Sequence, residues 1–438
     1  MKIKVLLLFL LASVALHAQE NETTPLSLSD AIQLGLKENY QIQIVKLNED
    51  IARNNNKWGV AGALPSVSFD VNSTNQQSNG PNMWTRQIET SQTIYLTPGV
   101  SLNWVLFDGY RMQINKQNLE DLERLSEGNS AVVIETAVQS MVLAYYQVIV
   151  ESQKLDVLTE VYRLSRDQYS AQKERKELGT IGTYELLQAK TAFLSDSASM
   201  LMQAMNVKNA TMNLNLLLAQ PPGKSYQLSD TLPVYLDLYH PDDLFQAMTA
   251  NNTTLKNQYI NQELLKNATG MQRSAMYPVV SMRTGSNANF GRLIFQDFDI
   301  NAQSTDIYAN FTLSFNLYNG GKTRTAIQNA KIQEQIGRIQ TNEMVDQMSI
   351  RLFNTLDLYT VRQNLYMVAK EAYASNALNL ILSEEKFEAG AITSFDFRNV
   401  QNQYLDAAFN RLQAQFQLIE AHLEIARLTG GLLSEFQE

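Results

Sequence analysis

The chain has 438 residues, 45% of them hydrophobic, with no cysteine, three histidines and a formal net charge of -9. The acidic balance argues against nucleic acid and anionic lipid surfaces as ligands. Without cysteine there are no disulfides and no lipid on cysteine, and isolated histidines leave almost no material for metal clusters or nucleophile systems, so neither an enzyme nor a cofactor is expected.

Residues 1-18 read as a secretory signal peptide. Lys2 and Lys4 supply the positive start, Val5 to Leu11 the apolar run, and Ala15 or Ala18 a small-residue cut site. Removing two lysines and no acids takes the charge from -9 to -11. The mature chain then says much the same thing twice. Val105-Leu106-Phe107-Asp108-Gly109-Tyr110-Arg111 returns as Asn316-Leu317-Tyr318-Asn319-Gly320-Gly321-Lys322, and Gly179 returns as Gly390, both at a shift of 211. So long a period is a duplicated half-molecule, with a first structural half over 19-226 and a second over 227-438.

Each half is predicted to run helix, two strands, very long helix, return helix. The first helix opens at Ser27-Leu28-Ser29-Asp30, suited to an N-cap, and runs to about Ala61; its counterpart opens at Asp242-Asp243 and runs to about Met276. Pro65 and Pro278 then switch the chain to extended structure. Strands are expected at about 64-74, 94-107, 278-287 and 305-318, with an equatorial linker at about 220-241. Val67, Phe69 and Val71 interleave with Ser68, Asp70 and Asn72, and Ile307, Ala309, Phe311 and Leu313 with Tyr308, Asn310 and Thr312. One face is apolar and one polar, which fits an outer-membrane barrel strand, although a half-buried strand of a soluble sheet gives the same alternation. The polar stretches 75-92 and 286-304 read as loops. Four strands cannot close a barrel, so a membrane reading requires an oligomer.

The long segments Arg111-Leu178 and Lys322-Ala389 contain no proline and carry apolar residues every seven positions. Ile134, Met141, Val148, Leu155, Tyr162 and Tyr169 form one set, and Leu352, Tyr359, Tyr366, Tyr373, Leu380 and Phe387 the other. Sustained heptads mean coiled-coil packing. At 1.5 Å per residue each helix is about 100 Å long. The return helix Thr183-Ala219 stacked on the 243-275 helix matches that length, as does Ser394-Gly430 stacked on the N-terminal helix. Strands are expected at one end and hairpin tips at the other.

In this order of elements, in its Leu-Phe-Asp-Gly-Tyr-Arg and Leu-Tyr-Asn-Gly-Gly-Lys junctions and in its two Gly-centred tips, the chain resembles the TolC-type outer-membrane efflux family over essentially its whole mature length. The resemblance implies a mainly helical protein with a small β part: long coiled-coil hairpins and four strands per chain, assembling as a trimeric 12-stranded barrel on a helical periplasmic tunnel. Strand counting alone also allows an eight-stranded dimer. It implies an exit duct in the outer membrane of a Gram-negative bacterium, working with a periplasmic adaptor and an inner-membrane transporter of the RND, ABC or MFS type, with membrane lipid around the barrel. Alternatives are the exit duct of a type I protein-secretion system, or an exported coiled-coil scaffold or adhesin without a pore.

By that resemblance the tips meet the adaptor, through Gly179, Thr180, Ile181 and Gly182 in one half and Gly390, Ala391, Ile392 and Thr393 in the other. Glycine also lets a helix end and reverse, so plain hairpin turns account equally well for these positions. Thr183 and Ser394 could cap the next helices. The family often places a carboxylate ring inside the tip; here Asp396, and with less support Glu185, take that position. The site three residues later is Asn399, so a double ring is not expected, and Ile392 stands where a basic lock would be. Both acids also suit the first turn of a helix. Trp84, Tyr95, Trp104, Phe290, Phe295 and Tyr308 are expected near the membrane interfaces.

Overall fold

The computed structural model describes residues 24-81, 86-294 and 299-436; the signal segment, Trp84 and Phe295 lie outside them. The elements in chain order are β1 (Thr24-Leu26), α1 (Leu28-Glu38), α2 (Tyr40-Asn55), β2 (Ser66-Pro81), β3 (Ile88-Phe107), α3 (Arg111-Glu177), α4 (Thr183-Leu217), β4 (Tyr226-Leu228), α5 (Pro241-Asn251), α6 (Thr253-Ser274), β5 (Val279-Ile294), β6 (Asp299-Ser314), α7 (Lys322-Glu388), α8 (Ser394-Leu428) and α9 (Leu432-Glu435). They form two compact units, each drawing on both halves of the sequence. One comprises residues up to Lys46, Asn129-Lys256 and Met344 onward; the other comprises Leu47-Gly128 and Asn257-Glu343.

The first unit is a helical assembly around the heptad positions. Met141, Leu352 and Leu412 are fully buried, and Val148, Tyr359, Tyr366 and Leu380 nearly so. The main core joins Met141, Val142 and Tyr145 of α3 to Ile32 of α1, Leu214 of α4 and Leu412, Ile419 and Leu423 of α8. α3 contains an 18-residue window apolar enough to cross a membrane, but 56% of that window is buried in the protein, as in a core helix. Two short strands, β1 and β4, pair in parallel beside this core. Tyr145 donates a 2.9 Å hydrogen bond to Leu26 O of β1 and a 2.6 Å bond to Asp230.

The predicted helix that opens each half is broken once. α1 ends and α2 begins at Asn39 (φ -60, ψ 128); α5 ends and α6 begins at Asn252 (φ -58, ψ 120). Asn39 Oδ1 accepts from the backbone of Gln41 and Ile42, and Asn252 Oδ1 from that of Leu255, so each residue is the N-cap of the helix that follows. Each amide also donates to a carbonyl at the end of a return helix, Asn39 to Leu217 O at 2.8 Å and Asn252 to Leu428 O at 3.0 Å. This corrects the stacking expected from helix lengths. The end of α4 meets the start of α2 and the end of α8 meets the start of α6, so each return helix abuts a helix of its own half. The negative C-terminus of one helix thereby faces the positive N-terminus of the next. Asn252→Ala removes the cap and the donor together and should destabilise the fold by about 1-3 kcal/mol. Asn252→Asp keeps the cap acceptor and should fall between. Urea unfolding of the detergent-extracted protein measures both, and equal stability of all three proteins would refute this role.

The second unit contains one antiparallel sheet in the order β2-β3-β5-β6. Its strands are 16, 20, 16 and 16 residues long, well beyond the segments predicted. Most of the Asn-, Gln- and Ser-rich stretches expected as loops are strand. The ladder runs unbroken from Ser66-Asn103 to Pro81-Ile88, and from Val279-Ser314 to Ile294-Asp299. Polar residues on both faces hide these segments from an alternation test, while the ladder itself satisfies their backbone groups.

Each passage from strand to long helix uses two consecutive left-handed residues. In the first half they are Gly109 (φ 72) and Tyr110 (φ 69), and in the second Gly320 (φ 70) and Gly321 (φ 80). The preceding residue caps the helix: Asp108 Oδ1 accepts from Met112 N at 3.2 Å, and Asn319 Oδ1 accepts from Thr323 N at 3.4 Å. Tyr110, a side chain in a conformation that favours glycine, is held edge-on by Phe107 and Tyr277, with ring centroids 5.4 and 6.0 Å away.

Candidate functional site

The sheet sorts its side chains by strand register. Val67, Phe69 and Val71 of β2 share a face with Pro98, Val100 and Leu102 of β3, Thr284, Ser286 and Ala288 of β5, and Ile307, Ala309 and Thr305 of β6. Phe69 is 67% exposed and Ile307 85% exposed, so this apolar face is uncovered in the single chain. A contiguous uncovered apolar face is costly in water and suits hydrocarbon. The opposite face carries Ser68, Asp70, Asn72, Arg283, Asn287, Asp306 and Asn310. Trp104 and Phe290 lie on the apolar face, and Trp104 donates to Ala63 O at 2.9 Å. Tyr95 and Tyr308 fall on the polar face instead, over Gly291 and Gly285, so they do not belong to an outward aromatic belt.

The helical unit carries the two hairpin tips. α3 and α7 end on glycines in the left-handed region, Gly179 (φ 72) and Gly390 (φ 73). In both, the glycine N-H returns to the third residue back (Lys176 O, Phe387 O) and the next N-H to the fifth back (Arg175 O, Lys386 O). This paired closure satisfies the last carbonyls of the helix and needs a residue without Cβ strain. Thr180 adds a 2.8 Å side-chain bond to Arg175 O. The N-cap positions of the return helices are Gly182 and Thr393, one residue earlier than the Thr183 and Ser394 expected as caps from sequence.

Here the halves diverge. Thr393 and Asp396 form a reciprocal capping box: Asp396 N-H donates to Thr393 Oγ1 at 3.2 Å, and Asp396 Oδ2 accepts from Thr393 N at 3.1 Å and Thr393 Oγ1 at 2.6 Å. Hydrogen bonds from the Thr393 side chain and backbone hold the Asp396 carboxyl below its ordinary range. Gly182 has no hydroxyl to offer, and α4 starts without a side-chain cap. Glu185 instead folds back, with Oε2 2.6 Å from where a Cβ on Gly182 would sit. Gly179, Thr180, Gly182, Gly390, Ala391, Thr393, Glu185 and Asp396 are all exposed, whereas Ile181 and Ile392 are half-buried. Ile392 packs onto the cluster of Val161, Phe397 and Tyr404. Leu178, Tyr184 and Phe395 project uncovered around the tips.

Sequence reasoning misses the tie between the hairpins. Arg398 of α8 grips Asp196 of α4 with two 2.7 Å bonds, and the Asp196 side chain is only 3% exposed. The partners are 202 residues apart and show no pattern by which to find them. Beside the pair, a cavity of about 470 Å³ opens between the hairpins, lined among others by Gln172, Tyr184, Phe387, Ser394 and Arg398.

A sheet apolar on one face and polar on the other, in a chain that also builds long helical hairpins, is the arrangement of a TolC-like fold. Residues 31-220 match the profile of the family described as "Outer membrane efflux protein". Over these residues, less than half of the chain, it is similar to this family of outer membrane efflux channels. Its members are non-enzymatic transport proteins, typically trimeric parts of tripartite efflux systems. No curated protein matches it significantly in sequence. Among solved structures it is similar in fold to a membrane protein from Pseudomonas aeruginosa, at 15% identity and TM-score 0.74, covering 92% of this chain and 93% of that one. It is similar also to the CmeC outer membrane channel of Campylobacter jejuni, at 15% identity and TM-score 0.72, covering 92% and 86%. The open-state MtrE outer membrane channel of Neisseria gonorrhoeae matches at 14% identity and TM-score 0.69, covering 92% and 89%.

Proposed function

We propose that three copies close a 12-stranded barrel and form a passive exit duct, docked through the helical tips on a periplasmic adaptor that couples it to an inner-membrane transporter of the RND, ABC or MFS type. The observation that carries this reading is the sheet. Among the described residues its edge strands β2 and β6 each lack a neighbour on one side, and its apolar face is uncovered, so another copy and lipid are what it needs. Exposed Leu178, Tyr184 and Phe395 around Gly179-Gly182 and Gly390-Thr393 supply the adaptor surface. Asp396, kept ionised by its capping box, and Glu185 line the constriction at the tips.

The duct is tested by extracting the protein in detergent, sizing it and recording it in planar bilayers. A cation-preferring trimeric pore is expected; a detergent-free soluble monomer that inserts no pores would end this reading. Asp396→Asn keeps an oxygen for the cap, so the variant should fold and assemble as the parent does. Its divalent block and cation preference should weaken, and an unchanged block would remove Asp396 from the constriction.

A further inference from the structure

The polar face of the sheet holds its own row of oxygen ligands, independent of the tips. Asp70 pairs with Gly99, Gly99 with Asn287 and Asn287 with Asp306, so these four positions form one row across the four strands. Asn287 lays its amide oxygen over Gly99: a Cβ there would lie only 2.1 Å from Asn287 Oδ1. The row thus presents carboxylate, amide oxygen and carboxylate in turn. Neutral groups hold the acids in place, Ser68 on Asp70 at 3.0 Å and Asn289 on Asp306 at 2.6 Å. Among the described residues neither acid has a basic partner within ion-pair distance. The one basic residue that the described strands place on this face is Arg283, four residues and about 13 Å along β5 from the row.

From this the geometry points to a charge-selecting ring inside the barrel, in which Asp70 and Asp306 of each copy, with Asn287 between them, favour passage of cations and positively charged cargo. The inference rests on the trimeric barrel proposed above. Twelve strands about 4.8 Å apart and tilted about 40° put the backbone about 12 Å from the axis. Side chains narrow the open radius to about 8 Å, close to the Debye length of about 8 Å at physiological salt. Six carboxylates at that distance act across the whole lumen. Oxygen groups without bound counter-charge suit hard or organic cations and repel anions. Arg283 on the same face opposes them, so removing it should act in the contrary sense.

Reversal potentials in asymmetric KCl test the ring, measured on the full chain and again in an Asp396→Asn/Glu185→Gln background that silences the tips. Asp70→Asn/Asp306→Asn should lower the potassium-to-chloride permeability ratio about twofold or more, and Arg283→Gln should raise it, in both backgrounds. Both shifts should grow when salt is diluted from about 1 M to about 0.1 M, as the Debye length rises from about 3 to about 10 Å. All three side chains are exposed, so the variants should assemble as the parent does. Pores whose selectivity ignores these substitutions, or shifts alike for acid and base removal, overturn the ring and leave the duct standing. A parent protein that forms no pores overturns the duct itself, and the ring with it.

Discussion

Gly109→Ala is expected to destabilise the protein by roughly 3 kcal/mol or more, while Gly320→Ala, at the equivalent position of the other half, costs only about 1-2 kcal/mol. Both glycines are left-handed, at φ 72 and φ 70, so both substitutions impose the same backbone strain. They differ in surroundings. A Cβ on Gly109 would stand 2.5 Å from Ser274 O and 2.7 Å from Tyr277 Cβ, and neither is the end of a flexible side chain. Around Gly320 nothing lies within 4 Å. The end of α6 must therefore move to admit the added methyl group, and Tyr110 loses the packing against Tyr277 that holds its own left-handed backbone. Thermal or urea unfolding of the two variants side by side measures the difference. Equal losses would show that backbone strain alone governs the junction.

The second large effect lies in the pair between the hairpins. Arg398→Ala leaves Asp196, whose side chain is 3% exposed, as a buried carboxylate without a partner, and should cost roughly 3-5 kcal/mol. Asp196→Ala should cost less, because the Arg398 side chain is 26% exposed and can turn its charge to water. Joint replacement by Asp196→Ala and Arg398→Leu should recover part of the loss, since no unpaired charge is left behind. A double-mutant cycle on unfolding free energies reads the coupling directly. If Arg398→Ala were no worse than Asp196→Ala, the pair would be acting as a surface contact.

The parts of this fold that are legible in the sequence are those written in local chemistry. Heptads such as Met141, Val148 and Tyr359, Tyr366 predict core positions because a helix face must be apolar to be buried. The Phe-Asp-Gly-Tyr and Tyr-Asn-Gly-Gly junctions are visible because only a few residues tolerate left-handed turns. Asn39 and Asn252 are invisible because a lone asparagine in a helical pattern resembles a solvated position; its second bond, to a carbonyl 178 or 176 residues away, exists only in three dimensions. For the same reason helix lengths alone exchange the stacking partners. The outer parts of β2 and β3 pass for loop because Asn75, Gln76 and Gln77 show no alternation. At the tips, Gly179 and Gly390 carry a signal, whereas the reciprocal bonds between Asp396 and Thr393 show only in the structure. The tie of Asp196 to Arg398 leaves no local trace.

The two open edges of the sheet also bear on how the protein is made. β2 and β6 each offer 16 residues of ladder on which the described residues place only Asp70, Asp299 and Asp306 as charges, with no lysine and no proline before Pro81. Proteins that live as monomers usually blunt such edges with charge or proline. This chain does not, so in the assembly proposed above it is, until it meets other copies, an aggregation template with an apolar face. Its biogenesis therefore needs either an escort that masks these edges in the periplasm or pairing that is complete before the sheet is released. On that proposal the subunit is not a finished product by itself, and the quality of the channel is decided in the interval before the ring closes.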